Sequence, residues 1–110
     1  MIIAVEIDRI ISTPARTSVA LTDAEHCTVL PEAKDALVKL KEKGHEIHIF
    51  TRRDVSLAMA TEMWLQKNKI PYDRLVPNKP EYHIIVDTVA YKFQNWPKFF
   101  EDQKYRIENG

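Results

Sequence analysis

Residues 1–11 of this 110-residue chain read MIIAVEIDRII. Ile2, Ile3, Val5 and Ile7 are β-branched, and side chains stiff at χ1 suit a pleated, buried strand. The run closes on Glu6 and Asp8. Side chains two apart on a strand share a face, so both acids are expected on one side of its carboxyl end. In open α/β sheets that end is where ligands sit. A strand this apolar is expected near the centre of a parallel sheet.

Outward from that strand the chain alternates. Residues 12–30, with Pro14 and scattered Ser, Thr and Ala, read as a long loop with a short helical turn over 22–26, overhanging the strand end. Pro31 opens a helix with Ala33, Ala36, Leu37 and Leu40 at helical spacing, Lys39, Lys41 and Lys43 near its end and Gly44 as its stop. Residues 45–50 form a second strand that reaches Thr51, Arg52, Arg53 and Asp54. Asp54 caps a helix over 55–68, whose apolar face takes in Met59, Met63 and Trp64. A very short strand at 74–76 and a turn at 77–80 lead to a fourth β-branched run, 82–87, that ends on Asp87. Asn95 and Pro97 open a last helix to about residue 105, with Trp96, Phe99 and Phe100 for the core and 107–110 as a frayed tail. This order predicts one α/β domain over 1–110, a parallel sheet with helices on both faces. The strand ending in Glu6 and Asp8 is then flanked by the strands ending at Thr51 and Asp87.

Composition narrows the function. Sixteen basic and sixteen acidic side chains cancel, so no bulk field draws the chain to nucleic acid or an anionic membrane. The single Cys27 leaves no internal disulfide and fits a reducing, cytoplasmic setting. No apolar run approaches the roughly 20 residues that span a bilayer, and no basic leader precedes the first strand. His26, His45, His48 and His83 lack metal-ligand spacing and read as structural or solvated.

The chemistry gathers at strand ends: Glu6 and Asp8, Thr51, Lys79 before the fourth strand, and Asp87 closing it. Acids, a hydroxyl and an ammonium at one sheet edge suit a phosphate group and a divalent cation.

This arrangement resembles the haloacid dehalogenase-like (HAD-like) superfamily, in particular small phosphatase-like members without a large cap domain. The resemblance rests on Glu6-Ile7-Asp8-Arg9-Ile10, on Thr51 in HIFTRRD, on Lys79-Pro80, and on Asp87-Thr88 in IIVDTVA. The fragments PEAKDALVKLKEKGHEIHIFTRR and WLQKNKIPYDRLVPNKP carry it further. It implies a three-layer Rossmann-like fold and a Mg2+-dependent phosphoric ester hydrolase acting on a small phosphorylated molecule. Glu6 would stand at the nucleophile position, Asp8 would be general acid and base, Thr51 and Lys79 would hold phosphate, and Glu6, Asp8 and Asp87 would hold Mg2+.

Four departures weigh against full activity. Glu6 stands where the family has Asp, Arg9 where it has Gly, Ile10 where it has Thr, and Thr88 where it has a second acid. The longer Glu side chain displaces its carboxylate by more than about 1 Å, a misplacement that can cost on the order of a hundredfold in rate. The chain therefore reads as a phosphatase with reduced or lost activity, the alternative being a non-catalytic HAD-like module that binds a phosphorylated ligand or a protein partner. A receiver-like signalling domain is excluded by the order of Thr51, Lys79 and Asp87. Arg9, or failing it Arg52 or Arg53, is expected to fold onto Glu6, Asp8 or Asp87, substituting for the metal or contacting substrate.

Overall fold

The computed structural model describes residues 1–14 and 26–110, so most of the expected loop, including 22–25 of its expected turn, lies outside the described residues. The chain folds as a small α/β structure around a three-stranded parallel sheet. Strand β1 (Ile2–Glu6) pairs with β2 (Glu46–Phe50), from Ile2 opposite Glu46 to Glu6 opposite Phe50. Strand β3 (Arg74–Val76) pairs with β2 on its other side. The order is β1-β2-β3, so β2 is central and β1 lies at an edge.

Helix α1 (Ala33–Glu42) joins β1 to β2, and a 3-10 turn (Val55–Leu57) running into α2 (Ala58–Lys67) joins β2 to β3. Pro31 and Glu32 precede α1, Glu32 in the left-handed region at φ 67°. Gly44 ends it at φ 88°, a conformation that costs glycine little. Asp54 Oδ2 accepts from Ser56 N at 2.9 Å and caps the 3-10 turn as the sequence leads one to expect. Asn95 does the same for α3 (Trp96–Asp102), its Oδ1 accepting from Lys98 N at 2.8 Å.

Two right-handed crossovers that step the same way along a sheet lay both helices on one face. Ile3, Val5, Ile47 and Ile49 face that side. Val5, Ile47 and Ile49 are buried with Leu37, Leu40, Trp64, Leu65, Trp96 and Ile107, and Ile3 packs against this cluster. The opposite face carries Ile2, Ala4, Glu46, Arg74 and Val76, all exposed, and half-buried His48 and Phe50. Helices therefore cover one face here, not the two expected.

The cause is the missing fourth strand. Residues 82–87 pair with no strand and are exposed throughout. Lys79 N donates to Thr51 O at the carboxyl end of β2. The three residue steps from Lys79 to Tyr82 reach about 10 Å, short of the roughly 17 Å back along a five-residue strand. A parallel strand would also bring Asp87 beside Glu6, a like-charge pairing that disfavours it. Among the described residues nothing then crosses to the second face, and β1 keeps an open edge.

Two further expectations are corrected. Met59 and Met63 are exposed, while α2 buries Trp64 and Leu65 as expected and Thr61 beside them. The carboxyl-terminal tail is an ordered helix, α4 (Lys104–Asn109). It is tied down by buried His45, whose Nε2 donates to Ile107 O while its Nδ1 accepts from the Met1 ammonium, both at 2.8 Å. A lone histidine between two strong polar groups carries no sequence signal for that role.

Asp73 links three elements. Its Oδ2 accepts from Ile47 N at 2.7 Å, and its carboxylate pairs with Lys41 at the end of α1. The hydrogen bond from Lys41, aided by that from Ile47, holds the Asp73 carboxyl below its ordinary value of 3.8. A depressed carboxyl stabilises the fold above its unfolded-state value and loses that contribution as pH falls through the folded one. The fall of Tm below about pH 4 should therefore be shallower in Asp73→Asn than in the unaltered chain, and an identical acid limb would contradict this.

Candidate functional site

Past Glu6 the strand pairing stops and the chain coils tightly. Ile7 O accepts from the backbone N–H groups of Ile10, Ile11 and Ser12, and Arg9 N donates to Ser12 O at 2.8 Å. Arg9 sits at φ 71°, a left-handed conformation that costs a non-glycine residue about 1–2 kcal/mol. It is the position where the resembling family has Gly. Its side chain is exposed and makes no ion pair among the described residues, contrary to the expectation that it would fold over the acids.

Arg53 takes that place. It is only 1% exposed. Its Nη2 donates to Asp8 Oδ1 at 3.0 Å and its Nε to Asp8 Oδ2 at 3.3 Å. The planar guanidinium fork matches the two carboxylate oxygens, a bidentate geometry that adds specificity to the charge pairing. Nη2 also lies 3.4 Å from Cys27 Sγ, and Nη1 is 3.5 Å from Thr61 Oγ1 on α2. The backbone supports the side chain: Arg53 N donates to Thr51 Oγ1 and Arg53 O accepts from Asn78 N. Asn78, at φ 59°, also accepts from Val55 N through Oδ1. The loop after β2 is thereby stitched to the loop after β3.

Glu6 has a different partner. Lys79 Nζ lies 3.2 Å from Glu6 Oε2 and 4.3 Å from the Phe50 ring centroid. A desolvated ammonium over an aromatic face gains further attraction. Thr51 is buried, its carbonyl accepting from Lys79 N and its hydroxyl from Arg53 N. Arg52 turns outward to Glu81 at 2.8 Å. Asp87 is exposed, and its Oδ1 accepts from Val89 N within its own loop.

The structure thus brings Glu6, Asp8, Thr51, Lys79 and Arg53 together and leaves Arg9, Arg52 and Asp87 apart from them. Sequence reasoning missed Cys27, Thr61, Phe50 and Asn78 as neighbours of the cluster. Only Asn78, inside a Pro-Asn-Lys-Pro turn, carried a usable signal, since Asn tolerates the left-handed region. Two hollows in the surface lie away from this cluster. One of about 240 Å3 is lined by Lys39, Phe100, Glu101, Lys104, Ile107 and Glu108 and shares none of the strand-end residues.

Mg2+ binds through oxygens in near-octahedral geometry, usually with one or two carboxylates. Both oxygens of Asp8 face Arg53, Glu6 faces Lys79, and among the described residues no three acidic, His or Cys side chains gather as a metal site.

No known family profile and no curated protein matches the chain. Solved structures do. A target protein from Vibrio cholerae superposes with a TM-score of 0.67 at 16% identity, over 97% of this chain and 95% of that one. Chains in two structures of a Pnkp1/Rnl/Hen1 complex, one described as an RNA repair complex, superpose with TM-scores of 0.61 and 0.58, each at 20% identity over 93% of this chain. There the match spans 31% and 33% of the longer chain. At these identities the likeness is one of fold. Among the described residues no helix is long and apolar enough to cross a membrane.

The Arg53–Asp8 pair is asymmetric, with Asp8 24% exposed and Arg53 enclosed. Removing the acid strands a buried cation, which costs about 3–5 kcal/mol. Removing the cation leaves an acid that water can reach. Urea unfolding should accordingly rank Asp8→Ala as more damaging than Arg53→Met, with the double variant less destabilised than the sum. Arg9→Gly should stay within about 1 kcal/mol of the unaltered chain, because relief at φ 71° offsets the added freedom of the unfolded state. A large loss in Arg9→Gly, or additive effects at Asp8 and Arg53, would refute this ordering.

Proposed function

We propose that this chain is a HAD-like domain that has given up metal-dependent phosphoryl transfer and serves as a binding module, for a phosphorylated ligand or a protein partner. The observation that carries this reading is the fork of Arg53 on both oxygens of Asp8. Asp8 is the residue that the resemblance makes general acid and base. Both oxygens of that carboxylate are taken up by the guanidinium fork, so the group is committed to a contact within the chain. Glu6 is engaged by Lys79 in the same way, so the acids that would attack phosphorus and hold Mg2+ are neutralised within the chain.

The half-sheet β1-β2-β3 with its two same-handed crossovers supports the Rossmann-like assignment, and the likeness to Pnkp1/Rnl/Hen1 chains supports a module that works inside an assembly. Cys27, with no second cysteine to pair, supports a cytoplasmic setting.

A second reading, a weak Mg2+-dependent phosphatase, is favoured by the meeting of Glu6, Thr51 and Lys79 at one strand end. There Lys79 would turn from Glu6 to a phosphate oxygen.

Hydrolysis of a small phosphate ester, followed with and without Mg2+, separates the two. The binding-module reading predicts no turnover above background in the unaltered chain under either condition. Mg2+-dependent turnover that disappears in Asp8→Asn would establish the phosphatase instead.

A further inference from the structure

Strand β1 has one neighbour. Glu46 N donates to Met1 O, and in a parallel ladder the groups facing one neighbour belong to alternate residues. Ile3 and Val5 therefore face β2, while the N–H and C=O groups of Ile2, Ala4 and Glu6 point to the open edge. Among the described residues none pairs with them. Natural sheet edges are usually blunted by a proline, a charge or a bulge. From Ile2 to Val5 this edge has none of these, and Ile2 is 67% exposed.

The same chain displays an unpaired extended segment. Residues 82–89 expose Ile84 at 81%, Val86 at 96% and Val89 at 71%, and the hydrogen bond of Val89 N is to Asp87 within the segment. Both ends are fixed: Lys79 is bound to Thr51 and Glu6, and Tyr91 packs edge-on against Phe99 with its hydroxyl donating to Asp102.

We infer that residues 83–87 of a second copy of this chain dock antiparallel along the open edge of β1, reciprocally, so that two copies exchange these segments. The direction follows from charge. Antiparallel, with Ala4 opposite Ile85, Glu6 meets the imidazole of His83, which can donate to it; parallel, Glu6 meets Asp87. The same register puts Val86 beside Ile3 and Ile84 beside Val5. The most exposed apolar residues of the segment then continue the helix-covered face of the sheet, and no side chain is turned to the wrong face. Ile2, Ala4 and Glu6, whose backbone groups point outward, become the hydrogen-bonded positions. The chain carries zero net charge, so copies do not repel one another, and exchange of an identical element is a low-cost route to a dimer.

Sedimentation of the full chain over a range of concentrations tests this with two variants. Ala4→Pro removes an N–H that points to the open edge and spares the β1–β2 ladder, the setting in which an edge strand tolerates proline. Ile84→Lys/Val86→Lys alters side chains that the single chain leaves exposed. The exchange predicts a concentration-dependent dimer that both variants reduce to monomer, with circular dichroism unchanged. It also predicts that Ala4→Cys/Ile85→Cys in a Cys27→Ser background forms a disulfide between copies, which decides the matter should Ala4→Pro fail to fold. A monomer at every concentration, a disulfide within one chain, or a dimer that survives the Ile84/Val86 variant would overturn it. So would a dimer lost only in Ala4→Pro, which would mean that two β1 edges pair with each other.

Discussion

A buried guanidinium holds the centre of this molecule together. Arg53 is enclosed by Asp8 from the turn after β1, by Thr61 from α2 and by Cys27 from the stretch before α1. A charge removed from water must be neutralised and hydrogen-bonded or it destabilises the fold by several kcal/mol, about 3–5 when its partner is taken away. The turn after β1, the loop after β2 and the first face of α2 are therefore constrained to meet around it. Asn78, which grips both Arg53 O and Val55 N, extends the constraint to the loop after β3. The result is an internal clasp that ties these loops to one another.

The geometry of the sheet follows a similar logic of partners present and missing. Two crossovers in one direction give a covered face and a bare one, and a parallel sheet bare on one side is unusual. The bare face is the one over which Lys79 reaches Glu6 across the Phe50 ring. Glu6 at the end of β1 and Asp8 in the turn after it, two residues apart in sequence, are consequently drawn to cations from different loops. Asp87 stays with the exposed segment rather than joining Glu6 and Asp8.

Elements whose signal is local were legible in the sequence. The alternation of Ile47 and Ile49 with His48, the periodic Ala36, Leu37 and Leu40, and the caps at Asp54 and Asn95 all stand where the pattern puts them, because short-range sterics and hydrogen bonds decide them. The convergence of Glu6, Asp8, Thr51 and Lys79 was legible through their order along the strands. What could not be read depends on long-range competition. Residues 82–87 have every local property of a strand, yet the short link from Lys79 and the like charges at Glu6 and Asp87 leave them unpaired. Met59 and Met63 fit an apolar face by spacing, but the helix turns Thr61 and Trp64 inward toward Arg53 and the Cys27 carbonyl. Arg53 and Arg52 are adjacent and alike in sequence, and only the fold shows that one is enclosed and the other bound to Glu81 at the surface.

The central claim is that a side chain of this protein occupies the position a metal would need. The most direct measurement is a crystal structure grown with Mg2+ and inorganic phosphate. The account predicts that Arg53 still spans both oxygens of Asp8, with no metal ion on that carboxylate. A Mg2+ ion coordinated by Asp8, with Arg53 swung away from it, would contradict the account.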